Sequence, residues 1–180
     1  MGITYNIAPK PTYYDGFKFR SRLEATWAAL FDLLKWRWEY EPLDLKGWVP
    51  DFVLHGVEPI AVEVKPVMRF EDFPQDGFDK MNSSGWEGRI LIVGTGLVEM
   101  GMMSSIGWMA DNRLPVEGPR VEWLPCRLVQ FDSNNDQVDI ATTTEQQGYL
   151  FNGNTITARQ SPVIMRRLWA LASNKTAWRR

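Results

Sequence analysis

Over residues 36–41 and again over 60–65 apolar and polar positions alternate with a period of two, the signature of strands with one buried face. Trp36, Trp38 and Tyr40 alternate with Arg37, Glu39 and Glu41, which predicts a half-buried strand ended by Pro42. A turn over Asp44–Gly47 leads to a second apolar run, which opens with Pro50-Asp51. His55 falls in the following turn and reads as a solvated turn residue. Ile60 to Lys65 predicts the next strand, with Ile60, Val62 and Val64 on one face and Ala61, Glu63 and Lys65 on the other. If the two runs pair as a hairpin, Asp51 lies near Glu63. Lys65 then stands beside them, and the small Ala61 leaves room.

Upstream the period changes to that of a helix over Ser21–Leu34, where Leu23, Trp27, Leu30 and Leu34 form a stripe adjoined by Glu24 and Phe31. Ser21 is the expected N-cap, and Glu24, three residues on, completes a capping box that reaches back to the Ser21 N–H. Residues 1–16, with Pro9, Pro11 and Gly16, predict an extended lead-in. Downstream, Pro66 ends the strand, and Pro74 and Gly77 argue against a long helix over Arg69–Gly85. Arg89–Val93 is a continuous apolar run suited to a central strand covered on both faces. Gly94-Thr95-Gly96 is a turn, too short for a nucleotide-binding loop. Met100, Met102, Met103, Trp108 and Met109 form a soft apolar cluster for core or loop packing. Val121–Leu124, Arg127–Phe131, Val138–Ile140 and Tyr149–Thr157 predict strands, with a tight turn at Asn152-Gly153-Asn154. Pro162–Arg180 reads as a helix followed by a basic tail.

Composition sets bounds on this outline. The chain has 180 residues, of which 44% are hydrophobic and 23% charged, as in an ordinary globular domain with room for an appendage. One cysteine, Cys126, and one histidine exclude a disulfide framework and a zinc cluster, and fit a reducing cytoplasm. No apolar leader and no run of eighteen apolar residues predicts a signal peptide or membrane span. The net charge of −2 gives no global basic field, so a nucleic-acid partner would need a local basic face. Two such faces stand out. Lys18, Arg20 and Arg22 precede the first helix, whose N-terminus itself favours anions. Arg166, Arg167 and Lys175 lie in a C-terminal stretch without a single acid. A solvated cationic surface is the competing reading for both.

The chemistry centres on the two acids of the hairpin. Carboxylates about 4 Å apart repel by roughly 4 kcal/mol at an effective dielectric near 20. A proton or a cation must therefore sit with them. Oxygen ligands of this kind suit Mg²⁺ or Mn²⁺. Pro50-Asp51 followed by Glu63-Val64-Lys65 resembles the PD-(D/E)XK nuclease superfamily. With the upstream run F-R-S-R-L-E-A-T-W, then W-E-Y-E-P and V-P-D-F, the first third of the chain resembles a phage-borne branch of it. The W-A-L-A-S-N-K-T-A-W-R end is similar more loosely.

That resemblance implies an α/β fold. Its restriction-endonuclease-like core would be a mixed central β-sheet flanked by helices, occupying residues 1–114. A β-rich addition (115–161) and a basic C-terminal helix and tail (162–180) would follow. It implies that Asp51, Glu63 and the Val64 carbonyl hold Mg²⁺ or Mn²⁺, that Lys65 is the catalytic lysine, and that Glu24 is the helix acid. Glu24 thus has two readings, cap and site acid, which are compatible because a carboxylate has two oxygens. The implied activity is metal-dependent hydrolysis of DNA in the cytoplasm, a host cell's if the chain is phage-encoded. A junction-resolving member would be a homodimer. The alternatives are an RNA-directed nuclease and a non-catalytic DNA-binding or assembly module that retains the fold.

Overall fold

The structure is a computed structural model, and it describes residues 10–100, 103–113, 122–130, 138–142, 150, 158–159 and 162–177. The chain is mixed α/β. Its first element is a hairpin of β1 (Thr12–Tyr14) and β2 (Phe17–Phe19). Within the expected extended lead-in, residues 12–16 belong to this hairpin, and residues 1–9 lie outside the described residues. Asp15 (φ 47°) and Gly16 (φ 81°) form a two-residue turn with both φ values positive, the geometry that Asp-Gly favours between antiparallel strands.

Helix α1 (Arg22–Leu33) follows, capped by Ser21, whose hydroxyl accepts from the Glu24 N–H at 3.2 Å. Then come β3 (Arg37–Tyr40), β4 (Phe52–His55) and β5 (Pro59–Val64), as the alternating and apolar runs predict. Between β5 and β6 (Arg89–Val93) lie one turn of 3₁₀ helix, Phe70–Asp72, and helix α2 (Gln75–Ser83). Pro74 does not prevent this short helix, because it sits at the N-cap, where no intrahelical N–H bond is lost.

The methionine-rich stretch forms two strands, β7 (Val98–Met100) and β8 (Met103–Asp111), and of the two expected packings Met109 takes the core one. The two strands predicted around Pro125-Cys126 are one, β9 (Leu124–Gln130), followed by β10 (Val138–Thr142) and β11 (Ala158–Arg159). The predicted turn at 152–154 and nearly all of the Tyr149–Thr157 strand lie outside the described residues. Helix α3 (Pro162–Lys175) closes the order.

The nine strands from β3 to β11 form one sheet. Its main path runs β10-β9-β8-β6-β5-β4-β3, with β7 on β8 and β11 on β9. Among the described strands only β5 and β6 pair in parallel, joined by the crossover that carries α2; the other described pairs are antiparallel. Ile60, Val62 and Val64 of β5 and Leu91 and Val93 of β6 pack on the α1 and α3 side. Ala61, Ile90 and Ile92 pack on the α2 side with Phe73 and Met81. Strand β6 is therefore covered on both faces, as its unbroken apolar run predicts.

Residues Glu24 to Phe31 are all buried, so α1 is enclosed rather than laid on the surface. The sheet wraps around it. Trp36, just before β3 at one edge, donates its indole N–H to the Val138 carbonyl of β10 at the other, at 2.6 Å. Among the described residues no helix is long and apolar enough to cross a membrane.

Candidate active site

The β4–β5 hairpin puts Asp51 one residue beyond the Phe52–Val62 pair, across from Glu63. Both acids are buried. Each oxygen of Asp51 has a partner. Oδ2 accepts the Val64 N–H at 2.7 Å, and Oδ1 accepts Nη2 of Arg20 at 2.5 Å. Glu63 is held in the same way. Its Oε2 accepts the indole N–H of Trp48 at 2.7 Å, and its Oε1 pairs with Nζ of Lys65 at 2.6 Å. Glu63 and Lys65 share a face, and Ala61 is fully buried on it, as the period of two requires.

Glu24 approaches from the first turn of α1. Its Oε1 accepts the Ser21 hydroxyl at 2.7 Å, while Oε2 accepts the Tyr40 hydroxyl at 2.6 Å and the Arg20 N–H at 3.2 Å. The capping box therefore closes on the Arg20 N–H, one residue earlier than expected. Arg20 joins the acids. Besides Asp51 it meets Glu41 Oε1 at 2.7 Å, and its Nε lies 3.9 Å from Glu24 Oε2. Glu41 takes a left-handed conformation (φ 44°), which costs of order 1 kcal/mol for a residue with a Cβ. A bond from its N–H to the Asp51 carbonyl, 3.0 Å, holds it there.

These contacts gather four carboxylates, Glu24, Glu41, Asp51 and Glu63, around two cations, Arg20 and Lys65. With every group ionised the cluster carries an excess of two negative charges. Burial, and then the Glu63 charge, push Asp51 up from its usual carboxylate range to about 7, against the pull of the Val64 N–H. The Lys65 charge also opposes that rise, and the Glu24 charge adds to it. Burial pulls Lys65 down, but the Glu63 charge and hydrogen bond outweigh it and the net shift is upward, so Lys65 stands as an ammonium. Burial and the bond to Glu24 raise Tyr40, so its hydroxyl keeps its proton, donating it to Glu24 while accepting the Arg20 N–H at 3.1 Å.

Among the described residues no three His, Cys, Asp or Glu side chains form a ready-made metal cage. The donor set nevertheless fits a hard dication. Mg²⁺ takes one or two protein carboxylates and completes its shell with water and phosphate oxygens. Asp51 and Glu63 supply the carboxylates, the Val64 backbone between Glu63 and Lys65 supplies a carbonyl, and the local charge is short of two positive units.

The structure thus brings together Glu24, Asp51, Glu63 and Lys65. It also moves Arg20 from the predicted DNA-contacting set into the centre of the site. Its neighbours divide. Lys18 is exposed on β2, and Arg22 ties α1 to α3 by donating to the Ser173 carbonyl at 3.1 Å. Arg166, Arg167 and Lys175 are exposed on α3. Sequence reasoning missed Trp48, Tyr40 and Glu41. Tyr40 carried a signal, since the alternation of β3 aims it inward with Trp38; nothing local distinguishes Trp48. Comparison with protein-family models, with curated proteins and with solved structures finds no match for the chain.

Proposed function

We propose that the protein is a metal-dependent deoxyribonuclease with a restriction-endonuclease-like core of the PD-(D/E)XK type. The observation that carries the reading is the hairpin itself. Two buried carboxylates face each other across it, and a protonated lysine two residues along the strand is bonded to one of them. Asp51, Glu63 and the Val64 carbonyl would hold Mg²⁺ or Mn²⁺. A bound ion would supply charge neutralisation at the scissile phosphate and a more acidic water.

The chain's own residues do the rest. Asp51 is aimed by the Val64 N–H, and Glu63 by the Trp48 indole. Lys65 Nζ, on the exposed side of Glu63, orients the attacking water and offsets charge building on the phosphate. As an ammonium it is a donor, not a base. Glu24 holds Tyr40 and the Arg20 backbone, and so positions the Arg20 guanidinium over Asp51. Cleavage adds water across a P–O bond and delivers one proton to the leaving oxygen.

The test is incubation of linear, single-stranded and branched DNA with the protein, with and without Mg²⁺ or Mn²⁺. Asp51→Ala and Glu63→Ala are expected to lower cleavage by at least a thousandfold while circular dichroism stays that of the parent. Lys65→Ala should lower kcat more than it raises KM. A Glu63→Ala protein cutting as fast as the parent overturns the assignment.

One observation favours a second reading, a non-catalytic DNA-binding or assembly module. Every carboxylate oxygen of Glu24, Asp51 and Glu63 already has a partner within the protein. DNA binding without divalent-ion-dependent turnover would select it.

A further inference from the structure

Strand β8 changes partners along its length. Its C-terminal half, Trp108 to Asp111, pairs with β6, and its N-terminal half, Met103 to Ser105, pairs with β7. A bulge at Ser105–Gly107 marks the change. Where β6 leaves β8, the chain turns through residues 94–97, and beside that turn the chain leaving β5 passes as Val67-Met68. The fork encloses a pocket of about 230 Å³, walled by Val67, Met68, Leu97, Val98, Ile106 and Trp108. It lies beyond the carboxyl ends of the parallel pair β5 and β6.

Three features define what fits there. The lining carries no charged side chain, which excludes a phosphate or a metal ion as the occupant. The volume falls below the roughly 300 Å³ at which pockets for drug-sized ligands begin, and suits one planar ring system. Trp108 offers an aromatic wall, and its other neighbour is Phe70, at a ring separation of 5.7 Å.

The pocket is also pre-formed. Trp27 Nε1 donates to the Gly94 carbonyl at 2.9 Å, and the Thr95 N–H bonds the Val67 carbonyl at 2.9 Å. The Trp169 indole of α3 lies so close to Gly96 that an added Cβ would sit 3.2 Å from it. Finally, one wall of the pocket follows Lys65 directly along the chain. The Val67 N–H donates to the Lys65 carbonyl at 2.8 Å, and two chain steps span at most about 7 Å.

We propose that this pocket accepts one unpaired nucleobase of the DNA strand whose phosphate lies at Lys65. The inference rests on the deoxyribonuclease reading and narrows it to substrates with an unpaired nucleotide beside the cleaved bond, such as a fork, flap or single-stranded end. The base stacks against Trp108 beside the Leu97 side chain, while its sugar–phosphate runs past Met68 towards Lys65. Stacking on aromatic walls tolerates any base, so the selection is for unpaired structure rather than for sequence.

The probe is 2-aminopurine placed at the unpaired position of a forked duplex, titrated with the parent protein and with Val98→Trp. Val98 is 37% exposed at the rim, so the larger ring fills the pocket without opening the core. Without divalent ions, the parent should change the probe's fluorescence at least threefold, and Val98→Trp should bind the fork without that change. With Mg²⁺, the parent should cut the fork at least tenfold faster than a blunt duplex, and Val98→Trp should cut both at the blunt-duplex rate. A parent that binds the fork and leaves the probe unchanged overturns the pocket, as does a variant indistinguishable from the parent. A fluorescence change that Val98→Trp abolishes, with no cleavage by the parent in any metal, keeps the pocket and removes the nuclease reading. Absence of fork binding by the parent removes both.

Discussion

Asp51 shows how one residue can be costly alone and useful in company. Its carboxyl is buried across from Glu63 and is pushed up to about 7, whereas in the unfolded chain it titrates near 3.8. Between those two values the folded protein keeps a proton that the unfolded chain has released. Stability on this residue's account is therefore complete below about 4 and lost as pH rises through 7. Asp51→Asn removes that dependence. Its Tm should gain on the parent's as pH is raised from 4 to 8 in the absence of divalent ions, as measured by scanning calorimetry. A constant difference across that range would show that the Asp51 carboxyl is not held protonated. The identity of this residue was legible in the sequence because Pro50-Asp51 and Glu63-Val64-Lys65 flank a short turn. Its partner Arg20 was not, because a side chain thirty-one positions away is placed by tertiary packing and not by local pattern.

At the scale of elements, the period of two over residues 36–41 and 60–65 translated directly into β3 and β5, the apolar run after Pro50-Asp51 into β4, and the helical stripe with its Ser21 cap into α1. Only β3 keeps one face outward; β4, β5 and α1 are buried beyond the face their own pattern specifies. The elements left unassigned are those whose sequence is ambiguous by itself. Strands β7 and β8 have one β-branched residue each, Val98 and Ile106, among methionine, serine and glycine, and their pairing with each other and with β6 decides their form. The crossover from β5 to β6 is likewise a matter of contact. Gly94 is required there because a Cβ would sit 2.3 Å from the Val67 backbone carbonyl. Gly94→Ala should push the Lys65–Val67 segment aside. Cleavage is expected to fall at least tenfold, with a loss of about 1–3 kcal/mol in urea unfolding, the usual range for overpacking. Unchanged activity would show that the turn does not position Lys65.

Taken whole, the molecule wraps its sheet and α3 around an enclosed α1, and the candidate site opens where α1 begins. Helix α3 contributes to the core through Trp169, 4.7 Å from Trp27, and through the buried Thr26–Thr176 hydroxyl pair, and it turns Arg167 and Lys175 outward. If that surface follows a DNA backbone, Arg167→Ala and Lys175→Ala should each lower the slope of log affinity against log salt by about 0.9, leaving turnover at saturating DNA unchanged. An unaltered slope would assign these side chains to solvent. The position of Arg20 has an implication for the whole assembly. On the proposed nuclease reading, an ion settling on Asp51 would compete with that guanidinium, which already reaches solvent, and a freed guanidinium would be available to a passing phosphodiester. Loading the metal and capturing the strand would then be one exchange, each raising the affinity of the other by the same factor, as thermodynamic reciprocity demands.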